Sequence, residues 1–146
     1  MSFLVSPHPN VDGLSKRLRD NDMGCKLNGY YAGCLLYADD LLLISFSVTA
    51  MQVMLDICTL FANDFDIVFN NKKSSIIRIG KRHNCVCEEL YIDNKVLDFA
   101  SECKYLGLTI LAGKRFKCCY NNMTKFFLGV SITFIPNVMA GCVKLL

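Results

Sequence analysis

Two apolar runs of strand length, Cys34 to Tyr37 and Leu41 to Ile44, flank a pair of adjacent carboxylates, Asp39 and Asp40. Runs this short, interrupted by charge, suit strands and not a helix. The pattern predicts an antiparallel hairpin over Gly33–Tyr37 and Leu41–Ser45, with Asp39 and Asp40 at its tip. Two like charges side by side repel, and Asn-Gly or Asp-Gly would turn the chain equally well. The residues alone leave two readings of the pair open. One is a solvated acidic turn; the other is a seat for a hard divalent cation, which takes carboxylate oxygens and neutralises both charges.

The elements around this hairpin set the fold class. Asp12 to Arg19 reads as a helix, with Leu14 and Leu18 at i and i+4. Asn28-Gly29 is a tight-turn pair between a short strand at Cys25–Leu27 and another beginning near Tyr30. Val48 to Phe65 is an amphipathic helix with Ser47 as its N-cap. Met51, Met54, Leu55, Cys58, Phe61, Ala62 and Phe65 form its apolar stripe, and Gln52, Asp56, Thr59 and Asn63 its polar one. Ile67–Phe69 and Ser75–Ile79 read as strands around a basic turn at Lys72-Lys73. Leu90–Ile92 and Lys95–Leu97 read as a hairpin about Asp93-Asn94, and Tyr105–Leu111 as one apolar strand with Gly107 inside it. Helix, strands, helix, strands in this order predicts an α+β fold, with helices on one face of an antiparallel sheet.

Composition removes several classes of protein. At 146 residues the chain is one domain. With 53% hydrophobic residues it has ample apolar surface to bury, unlike a long disordered protein. Nine glycines and three prolines exclude collagen-like and mucin-like chains. The net charge of +3 permits a nucleic-acid partner without demanding one. Nine cysteines, with no Cys-x-x-Cys and no signal-peptide layout at the start, suggest reduced thiols and a cytoplasmic or nuclear location. Phe126 to Val143 carries no charge over 18 residues, but Ser131, Thr133, Pro136 and Asn137 interrupt it. It reads as a buried or misfolding-prone tail, and no membrane is expected.

Other chemistry can be set beside the carboxylate pair. Lys72, Lys73, Arg78, Lys81 and Arg82 place five cations in eleven residues with no acid among them. Such a run either binds phosphate backbones without sequence preference or keeps a strand edge solvated. His83, Cys85, Cys87 and Cys103 could supply four zinc ligands, although the spacing is not that of a zinc knuckle. No local pattern joins His8 or His83 to a cysteine as a nucleophilic pair.

Tyr37-Ala38-Asp39-Asp40 between leucine-rich strands resembles the catalytic hairpin of reverse transcriptases. Two further motifs follow in that family's order. Phe69 to Ser74, with its Lys72-Lys73 turn, resembles the turn that carries a lysine near the triphosphate. Tyr105 to Ile110 resembles the strand that grips the primer end. The nearest likeness is to the enzymes of non-LTR retrotransposons, over about residues 11–117, with 118–146 as an uncertain tail or thumb remnant of the same single domain.

The resemblance implies an RNA-directed DNA polymerase palm that works on an RNA template, a DNA primer and deoxynucleoside triphosphates. It implies Mg2+ (or Mn2+) on Asp39 and Asp40, and Lys73 beside the departing pyrophosphate. Tyr37, Tyr105, Leu106 and Gly107 would lie along the primer, with Ala38 leaving room for close backbone approach. The family also uses an aspartate on a strand ahead of the hairpin. Asp12, Asp20 and Asp22 lie in or near the first helix and match no such strand. The chain alone is therefore expected not to incorporate nucleotides. The other class that remains is a non-catalytic remnant of a decayed element, at most a weak nucleic-acid-binding module.

Overall fold

A computed structural model describes residues 11–37, 39–120, 123–125 and 137–144. Among the described residues two α-helices, α1 (Val11–Asp20) and α2 (Val48–Asp64), accompany twelve strands. The first four strands are β1 (Lys26–Leu27), β2 (Tyr30–Tyr31), β3 (Cys34–Tyr37) and β4 (Asp40–Ser45). After α2 come β5 (Ser75–Gly80), β6 (Leu90–Ile92), β7 (Lys95–Phe99), β8 (Glu102–Tyr105) and β9 (Leu108–Leu111). The last three are β10 (Lys117–Tyr120), β11 (Met123–Lys125) and β12 (Asn137–Lys144). The fold is mixed α+β.

The main sheet has six strands in the order β3-β4-β12-β5-β7-β6, and a second sheet runs β11-β10-β9-β8. The main sheet is not wholly antiparallel, because β5 pairs with β7 in parallel, Ser75 opposite Asp98 and Ile76 opposite Phe99. The chain leaves β5, makes the β6–β7 hairpin and returns in the direction in which it left, which fixes that pairing.

Both helices cover one face of the main sheet. Leu14 and Leu18 of α1 and Met51, Met54, Leu55, Cys58 and Phe61 of α2 are almost wholly buried with Leu41, Leu43 and Ile76. Burying each such side chain contributes about 1.5–3 kcal/mol. The cap of α2 is the expected one: Ser47 accepts a hydrogen bond from the Ala50 amide at 3.0 Å. On α1, Arg17 donates to Asp64 at 2.8 Å and lies over the rings of Phe61 and Phe65, which ties the two helices together.

The opposite face carries a second core. Leu42, Ile77 and Ile79 of the main sheet pack with Cys103, Tyr105 and Ile110 of the second sheet. This explains why Leu41 to Leu43 and Ile76 to Ile77 are unbroken apolar runs: these strands are buried on both faces.

Two expected strands differ. Ile67–Phe69 has only an isolated bridge at Phe69. Asp66 ends α2 in the left-handed region (φ 53°), and the Ile67 amide donates back to Ala62 O, which commits this segment to wrapping the helix end. Tyr105–Leu111 is two strands and not one. Leu106 (φ 51°) and Gly107 (φ 75°) form a tight turn between β8 and β9, and the space around Gly107 is open.

Candidate functional site

The carboxylate pair stands at a hairpin tip. β3 and β4 are antiparallel, with Tyr37 opposite Asp40 as the last pair, and Asp39 lies in the turn at this end. Asp39 is exposed in that turn, and Asp40 is the half-buried first residue of β4. Tyr37 ends the edge strand β3 with 53% of its surface exposed. Ala38 lies outside the described residues.

Registers through β12 show which groups share this end of the sheet. Cys142 pairs with Leu42 on one side and with Ser75 on the other. Two residues further along, Lys144 pairs with Asp40. Lys72 and Lys73, just before Ser75, therefore stand at the same end as Asp39 and Asp40. They form a single 3-10 turn, Asn71–Lys73, in which the Asn70 side chain accepts from the Lys73 amide and the Ser74 hydroxyl donates to Asn70 O. Both lysines are exposed.

The rest of the basic run lies elsewhere. Gly80 pairs with Asn137 at the opposite end of β12, and Lys81 and Arg82 follow it. A strand of this length spans roughly 17–20 Å, so the five cations form two groups. Arg78, midway, donates to the carbonyl of Cys85 at 2.5 Å. With Arg82, Glu88 and the first turn of α2 it borders an open cleft of about 470 Å³.

Of the motif Tyr105-Leu106-Gly107, Tyr105 is buried in the core that contains Leu42, two residues along β4 from Asp40. Leu106 is half exposed in the turn.

The donor set for a metal is incomplete as described. Two adjacent carboxylates suit a hard cation. Among the described residues, however, no three His, Cys, Asp or Glu side chains gather, and the strand beside Asp40 brings a lysine into register. For zinc, Cys103 is in the inter-sheet core, and His83 makes a hydrogen bond to Gly80 O. Burial pushes the thiols of Cys25 and Cys34 up to about 11, and that of Cys58 higher still. These thiols are neutral at physiological pH and are poor nucleophiles. His8 lies outside the described residues.

Sequence reasoning did not find β12 or its lysine. The available signal was eight residues of strand length after Pro136, apolar through Val143 and closed by Lys144. Comparison with family models, curated proteins and solved structures returns no match. Among the described residues no helix is long and apolar enough to cross a membrane.

Proposed function

We propose that this chain is part of a reverse-transcriptase-like palm, an RNA-directed DNA polymerase domain of non-LTR retrotransposon type that is inactive by itself. The observation that supports it best is the company of Asp39 and Asp40. They stand at the tip of the β3–β4 hairpin, and after the α2 crossover the Lys72–Lys73 turn returns to the same end of the sheet. Phosphoryl transfer rests on this kind of positioning, with carboxylates for metal and a cation for the leaving phosphate.

In this reading Asp39 and Asp40 would hold Mg2+ or Mn2+, which neutralises the attacking and leaving oxygens when bound. Lys73 offsets charge on the departing pyrophosphate. Tyr37 flanks the primer end, and the Leu106–Gly107 turn offers backbone to it while Tyr105 anchors that turn in the core. The partners are an RNA template, a DNA primer and deoxynucleoside triphosphates, in the cytoplasm or nucleus.

A second reading is favoured by one specific observation, the lysine that β12 sets in register with Asp40. In it the chain is a non-catalytic remnant that binds nucleic acid weakly through Lys72, Lys73, Arg78, Lys81 and Arg82.

Primer extension on an RNA template with Mg2+ or Mn2+ tests the first reading. The chain alone is expected to incorporate nothing, since among the described residues no third acid gathers with Asp39 and Asp40. Extension that disappears in Asp39→Asn would overturn the claim of inactivity and would mean that another acid completes the site.

A further inference from the structure

The loop that follows β5 builds a cleft at the end of the sheet away from Asp39 and Asp40. Gly80 pairs with Asn137 at that end of β12. The chain then turns twice: the His83 amide donates to Gly80 O at 3.1 Å, and the Cys85 amide to Arg82 O at 3.2 Å. From β5, the Arg78 guanidinium donates to Cys85 O at 2.5 Å. Cys85 is thus fixed at both of its backbone groups. Arg78, Arg82, Cys85, Cys87 and Glu88 line the cleft together with the start of α2. Its volume of about 470 Å³ falls in the range of about 300–1,000 Å³ usual for small-molecule sites. Among the described cysteines only Cys85 is exposed, and Val86 beside it is fully exposed.

We propose that this cleft is a thiol-modification site, in which Cys85 accepts a small anionic thiol of the glutathione class from its disulfide. The lining matches the chemistry of such a molecule. Glutathione carries two carboxylates, one ammonium and one sulfur; the cleft offers two guanidinium groups, one carboxylate and a thiol open to solvent. Arginine holds carboxylates through charge-assisted hydrogen bonds. In the step, the Cys85 thiolate attacks one sulfur of the glutathione disulfide. The bond from Cys85 Sγ to that sulfur forms and the disulfide bond breaks. Its electron pair leaves with the second glutathione as a thiolate, which takes up the proton that Cys85 gave up. The disulfide is therefore the oxidant, Cys85 is oxidised, and one glutathione is released reduced. Buried Cys25 and Cys58 are closed to this exchange, which needs access to the sulfur. The site lies apart from the Asp39–Asp40 hairpin, so the inference stands whether or not the polymerase reading does.

The test treats the full chain, first reduced, with oxidised glutathione at neutral pH and locates the product by peptide mass spectrometry. Cys85 should carry the glutathionyl group before Cys87, Cys119 or the buried thiols do. The same reaction with neutral hydroxyethyl disulfide controls for exposure and folding. The ratio of the two rates at Cys85 should fall about two- to fivefold in Arg82→Gln, since a guanidinium near the surface favours the anionic reagent alone. It should fall further when Arg78→Gln is added. A loop loosened by the Arg78 change raises both rates together and leaves the ratio readable. An unchanged ratio in the double variant would overturn the proposal. So would labelling of Cys119 as fast as that of Cys85, or a Cys85–Cys87 disulfide as the main product.

Discussion

Gln52 on α2 and Tyr91 on β6 are joined by two reciprocal hydrogen bonds. The Tyr91 amide donates to Gln52 Oε1 at 2.9 Å, and Gln52 Nε2 donates to Tyr91 O at 3.0 Å. Two helical turns further on, Thr59 Oγ1 accepts from the Asp93 amide at 3.0 Å. The edge hairpin β6–β7 is thus held to the helix by side chains of its polar stripe. Gln52→Ala removes the partners of both Tyr91 backbone groups and should cost about 1–2 kcal/mol. Gln52→Glu keeps the acceptor and should cost less. Chemical denaturation of the two variants gives the order directly.

The packing of β12 against α2 gives a graded prediction. A methyl group at Gly141 would meet only the flexible end of Met51 at 3.3 Å, with Leu43 Cβ at 3.9 Å. Gly141→Ala should therefore stay within about 1 kcal/mol of wild type, since alanine also relieves the entropy cost of glycine. Gly141→Val adds bulk under the buried helix and should cost about 1–3 kcal/mol. Thermal melts that rank Val above Ala in stability would mean that β12 is not packed under Met51.

The local structure was legible where a few adjacent residues decide it. Ser47 caps α2 as its side-chain chemistry requires, and Asn28-Gly29 and Asp93-Asn94 turn with positive φ. The Asp39–Asp40 hairpin follows from its two apolar flanks. What the sequence could not supply was partnership between distant segments. β12 lies more than fifty residues from β5 along the chain, and no local pattern says that it enters the centre of the sheet. Gln52 and Thr59 look like solvated positions until β6 is placed against them. Leu106-Gly107 sits inside an apolar run whose period does not reveal a break; only the positive φ of both residues does.

Burial of the thiols predicts an alkaline weakness. Cys25 and Cys34 are each raised from 9.0 to about 11 by burial. The folded chain holds these protons where the unfolded chain releases them, so the contribution is intact below about pH 9 and stability falls as pH rises from 9 toward 11. Denaturation midpoints over that range should decline, and Cys34→Ser should flatten the decline. At neutral pH, alkylation should reach exposed Cys85 well before buried Cys25 or Cys58.

Nucleic-acid binding should reflect the division of the basic run. Removing one cation that neutralises a phosphate lowers the salt slope by about 0.9 for duplex DNA. Lys72→Ala with Lys73→Ala, at the carboxylate end, should flatten the slope by up to about twice that amount. Lys81→Ala with Arg82→Ala, at the far end, should change it less. Equal effects from the two pairs would favour a diffuse basic surface over a directed one.

The central claim is that the sheet end bearing Asp39, Asp40, Lys72 and Lys73 faces nucleic acid. Amide chemical shifts of the labelled chain, titrated at low salt with a short RNA–DNA primer–template, test it most directly. The account predicts that the largest shifts fall on Tyr37, Asp39, Asp40, Lys72, Lys73 and the Leu106–Gly107 turn, and fade as salt is raised. Shifts confined to the Arg78–Glu88 cleft, or no shifts from a folded chain, would contradict it.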